Sequence, residues 1–130
     1  NVALNTNKTV IFLSHNSPLT SLYEKGITPV IEAVLRAKEK YKFDIAGWFI
    51  GHFHGDYSFN AHGINFFVIA SETAYVPQLW GFSEKEPEIY PERKLGTVSE
   101  DLWNVVTINT NTRKIKLMRF GAGKDEEATY

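Results

Sequence analysis

The sequence predicts an α/β fold with a mixed sheet, and three observations carry that prediction. Two short apolar runs, residues 10–13 and 45–50, flank a stretch with helical periodicity, and strand, helix, strand in that order favours a parallel pair. The last third of the chain holds two further strand-like runs joined by a polar turn, so the back half reads mainly as sheet. A length of 130 residues with 43% hydrophobic composition is enough for one core, so residues 1–130 are expected to form a single domain.

The run Val10-Ile11-Phe12-Leu13 is continuous rather than alternating, which predicts a strand covered on both faces, with Ser14-His15-Asn16 in the loop beyond it. Thr28-Pro29 opens a helix: threonine caps, proline suits the first helical position, and Val30, Ile31, Val34, Leu35 and Tyr41 form an apolar stripe. Arg36, Lys38, Glu39 and Lys40 mostly face water on that reading. The second apolar run, 45–50, is a second buried strand that ends at Gly51-His52-Phe53-His54-Gly55. Residues 64–70 read as a third strand, and 103–109 with 114–120 as a hairpin turning through Thr110-Asn111-Thr112-Arg113. Between them, residues 83–101, rich in charge and containing Pro87 and Pro91, read as a long surface loop. Tyr75, Trp80, Phe82 and Tyr90 lie around that loop and are candidates for a substrate pocket, although packing is the commoner use of such a cluster.

Charge excludes some partners. Fourteen basic residues against 15 acidic ones leave no global field toward nucleic acid or an anionic membrane. No apolar run approaches the roughly 18 residues a membrane helix needs, and with polar residues at 1–8 no signal peptide is expected. The compartment is open, with the cytoplasm as the expectation. Cysteine is absent, so metal ligands would have to be His, Asp, Glu or Asn. The single methionine, Met118, lies far from the start, and the chain is expected to be a fragment of a longer protein.

Three of the four histidines, His15, His52 and His54, lie just past the ends of apolar runs. His-x-His in extended backbone projects both rings to one side, and the flanking glycines are expected to supply the sharp turn that aims them at one small volume. Asn16 and Gly51 are expected to shape the two loops. Histidine is the commonest transition-metal ligand, so His15, His52 and His54 are the candidate metal ligands. No catalytic residue is identified beyond them. His62, in the polar turn before Gly63, is expected to be structural.

Ser14-His15 after one strand and Gly51-His52-Phe53-His54-Gly55 after the next resemble the last two motifs of the calcineurin-like metallophosphoesterases. The terminal segment with Arg119-Phe120-Gly121-Ala122-Gly123 resembles the closing sheet of bacterial and phage-associated members, so the likeness runs from about residue 10 to 123. It implies the C-terminal part of a layered αββα sandwich whose activity is hydrolysis of phosphate mono- or diesters at a centre of two divalent ions, Mn, Fe or Zn. His15 and His52 would ligate one metal and His54 the other. The family's Asp-x-His, Gly-Asp and Gly-Asn-His motifs have no counterpart before His15, so the missing N-terminal half would supply the bridging carboxylate. Three neutral imidazoles cannot offset two cations about 3.5–4 Å apart. The fragment alone is therefore expected to be inactive, to bind one metal ion or none, and to be able to self-associate through the face that the missing half would cover.

Two other readings are weighed. His52-x-His54-x-Asp56 partly fits a metallo-β-lactamase-like motif, but Tyr57 stands where a further histidine is needed and Ser14-His15 has no part in it. Asp56 is then a loop residue or a support for the ligands. The remaining alternative is a non-catalytic metal-binding or interaction module, a degenerate phosphoesterase with a structural role.

Overall fold

A computed structural model describes residues 8–20, 26–70 and 85–130. Its elements run β1 (Thr9–Ser14), α1 (Pro29–Tyr41), β2 (Asp44–Ile50), β3 (Tyr57–Ala61), β4 (Ile64–Val68), β5 (Leu102–Asn109), β6 (Lys114–Gly121) and β7 (Glu126–Thr129), with a 3-10 turn at Val98–Glu100 before β5. The fold is mixed α/β and mostly sheet. One sheet has the order β1-β2-β4-β3, the other β5-β6-β7. As the strand, helix, strand order requires, β1 and β2 are parallel, and β4 joins β2 in parallel before β3 pairs with it antiparallel.

The helix forms where its capping signals place it. Thr28 accepts a hydrogen bond from the Ile31 amide, Pro29 takes the first turn, and Lys42 closes the helix in the left-handed region at φ 52°. Ile31 is fully buried, and Val34, Leu35 and Tyr41 pack with it against Ile45, Trp48, Ile50, Phe66 and Val68. Val30, expected in the stripe, is exposed instead; one position before Ile31, it is turned about 100° away from the buried face.

The opposite face of the same sheet meets the second sheet. Phe67, Ile115 and Leu117 form a core there, with Phe49, Ile69 and Ala128 packed around it. Helix, four-stranded sheet and three-stranded sheet are thus stacked in that order. Arg113 clamps the hairpin turn to the start of β2 through a two-pronged contact with Asp44, at 2.6 and 3.0 Å. Asn65 Nδ2 in β4 donates to the Thr129 carbonyl in β7 at 2.9 Å, so by the strand orders β5 falls on the β1 side.

That side is open. The expectation that β1 is covered on both faces does not hold: Leu13 is 74% and Ile11 45% exposed, both pointing toward the level of the second sheet. Val106 and Ile108 on β5, in register with the buried Leu117 and Ile115, are exposed as well. Among the described residues β1 and β5 are the edges of their sheets.

The strand expected over 64–70 is β4, whereas β3 and β7 lie outside the expectation. β3 and β4 form a hairpin through His62 and Gly63, both at positive φ, 54° and 70°, the pattern of a two-residue type I′ loop. His62 is therefore a turn residue. β7 is four residues long and half of it is charged, a short edge strand of the kind that resists further pairing. Residues 85–101 are mostly exposed, as a surface loop would be, with one internal fixture: Arg93 is buried and donates from Nε to the Glu100 carbonyl at 2.8 Å. No helix among the described residues is long and apolar enough to cross a membrane.

Candidate functional site

The carboxyl ends of β1 and β2 lie side by side, because parallel pairing runs in register from Phe12↔Trp48 to Ser14↔Ile50. The ladder continues one step further, where the Gly51 amide donates to the Ser14 carbonyl at 3.1 Å. Ser14 is fixed from the core side too, its hydroxyl accepting from the Trp48 indole at 2.9 Å. The chain leaves both strands at one place, and the two loops start next to each other.

The outcome is a pair of imidazoles. His52 Nδ1 lies 3.1 Å from His15 Nε2, with the rings edge to face and their centroids 5.0 Å apart. Both are exposed. His15 is also part of the wall of an open cleft of about 310 Å³, with Leu13, Ser14, Phe49, Ile50, Gly51 and Ile69.

The turn that presents His52 is made differently from the expectation. Gly51 and Gly55 are not at positive φ; the histidines are, His52 at 70° and His54 at 53°. The Phe53 amide donates to the Gly51 carbonyl at 2.8 Å. An i to i+2 hydrogen bond around a residue at φ near +70° is the rare, strained form of γ-turn. Left-handed backbone costs a residue with a side chain roughly 1–2 kcal/mol, so this loop holds strain in the segment that carries the candidate ligands, a pattern typical of functional sites. Gly51 serves through its backbone, which joins both hydrogen bonds, and Gly55 by its size, since a Cβ there would sit 3.0 Å from Ile89 Cγ2. Asn16 is exposed next to His15.

His54 is exposed two residues beyond His52. Among the described residues no three His, Asp or Glu side chains gather where they could hold a metal ion. The structure therefore brings His15 and His52 together and leaves His54 outside that pair. Tyr75, Trp80 and Phe82 lie outside the described residues, while Tyr90 is half-buried.

Asp56, read as a loop residue or ligand support, turns out to be buried. It pairs with Arg119 of β6, the side chains being 7% and 3% exposed. Burial pushes the Asp56 carboxyl above its ordinary value, and the Arg119 guanidinium offsets only part of that. The turn after β6 is shaped around the pair: Gly123 is at φ 91°, and a Cβ on it would lie 2.8 Å from Asp56 Oδ2. The sequence holds one trace of this contact, an arginine before Gly121-Ala122-Gly123, but nothing in the spacing names its partner 63 residues away.

No family model, curated protein or solved structure matches this chain, so its functional reading rests on these residues and their geometry.

Proposed function

We propose that the chain contributes part of the two-metal centre of a calcineurin-like phosphoesterase, in a layered αββα domain that hydrolyses phosphate mono- or diesters. The observation that carries the proposal is the His15–His52 pair. Two imidazole nitrogens each about 2.0–2.1 Å from one ion are roughly 3 Å apart, and these stand at 3.1 Å. His54 is available to a second ion on the same strained loop. Divalent ions held there would polarise a phosphate ester and offset the charge that develops on its oxygens.

Two imidazoles alone neutralise none of that cationic charge. The carboxylates come from polypeptide that covers the open side, where Ile11, Leu13, Val106 and Ile108 are exposed. Without it, the chain holds one ion at most and does not turn over substrate.

The test has two arms. Cobalt(II) titration of the chain, followed by visible absorption, is expected to give nitrogen-ligated spectra that His52→Ala and His15→Ala each remove. A longer polypeptide that includes the covering half is expected to hydrolyse bis-p-nitrophenyl phosphate with manganese, and His52→Ala to abolish this. A longer polypeptide that is folded, metal-free and inactive would instead make the chain a non-catalytic interaction module. That second reading is favoured by one observation, the lack of any carboxylate beside the two histidines among the described residues. A metallo-β-lactamase-like centre is disfavoured, since it needs Asp56 as a ligand and Asp56 is engaged by Arg119.

A further inference from the structure

The loop from Gly51 to Asp56 is held at both ends, and the far anchor has no part in the pairing of strands. At the near end the Gly51 amide extends the β1–β2 ladder to the Ser14 carbonyl, and at the far end the Asp56 amide donates to the Ile89 carbonyl at 2.7 Å. The Asp56 carboxylate then reaches across to the second sheet, where Arg119 Nη2 donates to its Oδ1. Between these anchors lie His52 and His54, the two residues of the loop at positive φ. A strained backbone persists only when its surroundings over-determine it. The near anchor, with the Phe53 to Gly51 turn that follows it, holds the chain only as far as residue 53.

A buried ion pair is a weak device for stability, because taking two charges out of water offsets most of their attraction. It is a strong device for geometry: a carboxylate seated against Arg119, with Gly123 leaving room for Oδ2, has little freedom to move. We infer that Asp56 and Arg119 are positioning residues, a latch between the two sheets that fixes the far end of the histidine loop and so sets the placement of His52 and His54. The purpose of the latch rests on the metal-centre proposal, whereas its existence does not.

The test uses the chain itself, 15N-labelled, with imidazole resonances followed by long-range proton–nitrogen spectra in Asp56→Asn and Arg119→Lys. His62, in the β3–β4 turn, and the Trp48 indole serve as internal references for the fold. The latch predicts that His52 and His54 resonances shift or broaden in Asp56→Asn, with His15 moving through its contact, while His62 and Trp48 are unchanged. Cobalt(II) affinity should fall about ten-fold or more, the usual scale for a group that orients ligands. Unchanged imidazole spectra in a folded Asp56→Asn variant would overturn the inference. Absence of cobalt binding by the unsubstituted chain would count against the metal centre only, since the imidazole shifts decide the latch without it. If Asp56→Asn does not fold, Arg119→Lys, which keeps the charge but not the planar fork, decides. Loss of the fold there too would make the pair a support of the whole domain and remove the positioning role.

Discussion

The Trp48 indole, buried between Phe12 and Phe66, donates its one hydrogen bond to the Ser14 hydroxyl at 2.9 Å, so the residue before His15 is set by the centre of the core. Ser14→Ala would leave that indole nitrogen without its partner. A buried donor left unpaired costs roughly 1–3 kcal/mol, and the variant is expected to lose that much in urea denaturation with its slope against denaturant unchanged. Because Ser14 precedes His15 directly, the same substitution should also weaken metal binding at the pair. A variant as stable as the parent would mean that the indole finds another partner and Ser14 is not its anchor.

The strain at His52 can be measured directly. At φ 70° glycine is at ease, while alanine keeps the penalty without the ring. His52→Gly is expected to be about 1 kcal/mol more stable than His52→Ala, read by chemical denaturation of the two variants side by side. Equal stabilities would imply that the loop abandons its positive φ once the imidazole is gone. In that case the ring's contact with His15, rather than the backbone anchors, maintains the turn.

Much of the scaffold is legible in the sequence because its signals are local. Thr28-Pro29 announces the helix, the run to Ile50 announces a buried strand, and Asn109 with the polar residues after it announces the hairpin, where its side chain accepts from the Asn111 and Thr112 amides at 3.0 Å each. The convergence of His15 and His52 is a consequence of the parallel pairing of β1 and β2. The hidden features depend on partners far apart in the chain. Asp56 looks like a solvent-facing loop aspartate until Arg119 is placed beside it, and the exposure of Leu13 depends on which strand ends each sheet. Residue type alone places positive φ at Gly51 and Gly55 rather than at His52 and His54, since glycine adopts it without penalty. β7 is hidden for a physical reason: Glu126 and Glu127 disfavour strand, and pairing with β6 overrides that preference.

Stability should depend on pH through two exposed carboxylates on the second sheet and one buried one. The Arg119 amide donates to Asp125, with Lys116 nearby, and Lys114 donates to Glu127; these contacts hold both carboxyls below their ordinary values. Folding favours their ionised forms, so the stability they contribute is present above about pH 4–5 and is lost as pH falls through their folded pKa values. Asp56 acts in the opposite sense. Burial raises its pKa, so its contribution is greatest where it is protonated in both states and declines as pH rises from the ordinary aspartate value through the raised one. A combined Asp125→Asn and Glu127→Gln variant is expected to have a lower Tm at pH 7 and a flatter fall of Tm between pH 6 and 3. A parallel profile, merely displaced, would remove these two groups from the acid response.

The open side between β1 and β5 makes a prediction that separates folding from association. Leu13 is 74% exposed, so replacing it with lysine removes almost no burial within one chain, and the change in unfolding free energy should stay within about 0.5 kcal/mol. If this side is a surface that other polypeptide normally covers, the chain alone should bury it against a second copy, because contiguous exposed apolar surface drives association. Sedimentation velocity at rising concentration is then expected to show association for the parent chain. Leu13→Lys combined with Val106→Lys, which places charge on both edges of the opening, should return it to a monomer of unchanged fold. A parent chain that stays monomeric at high concentration would show that these side chains tolerate water, and the case for a covering half of the domain would then rest on the histidine pair alone.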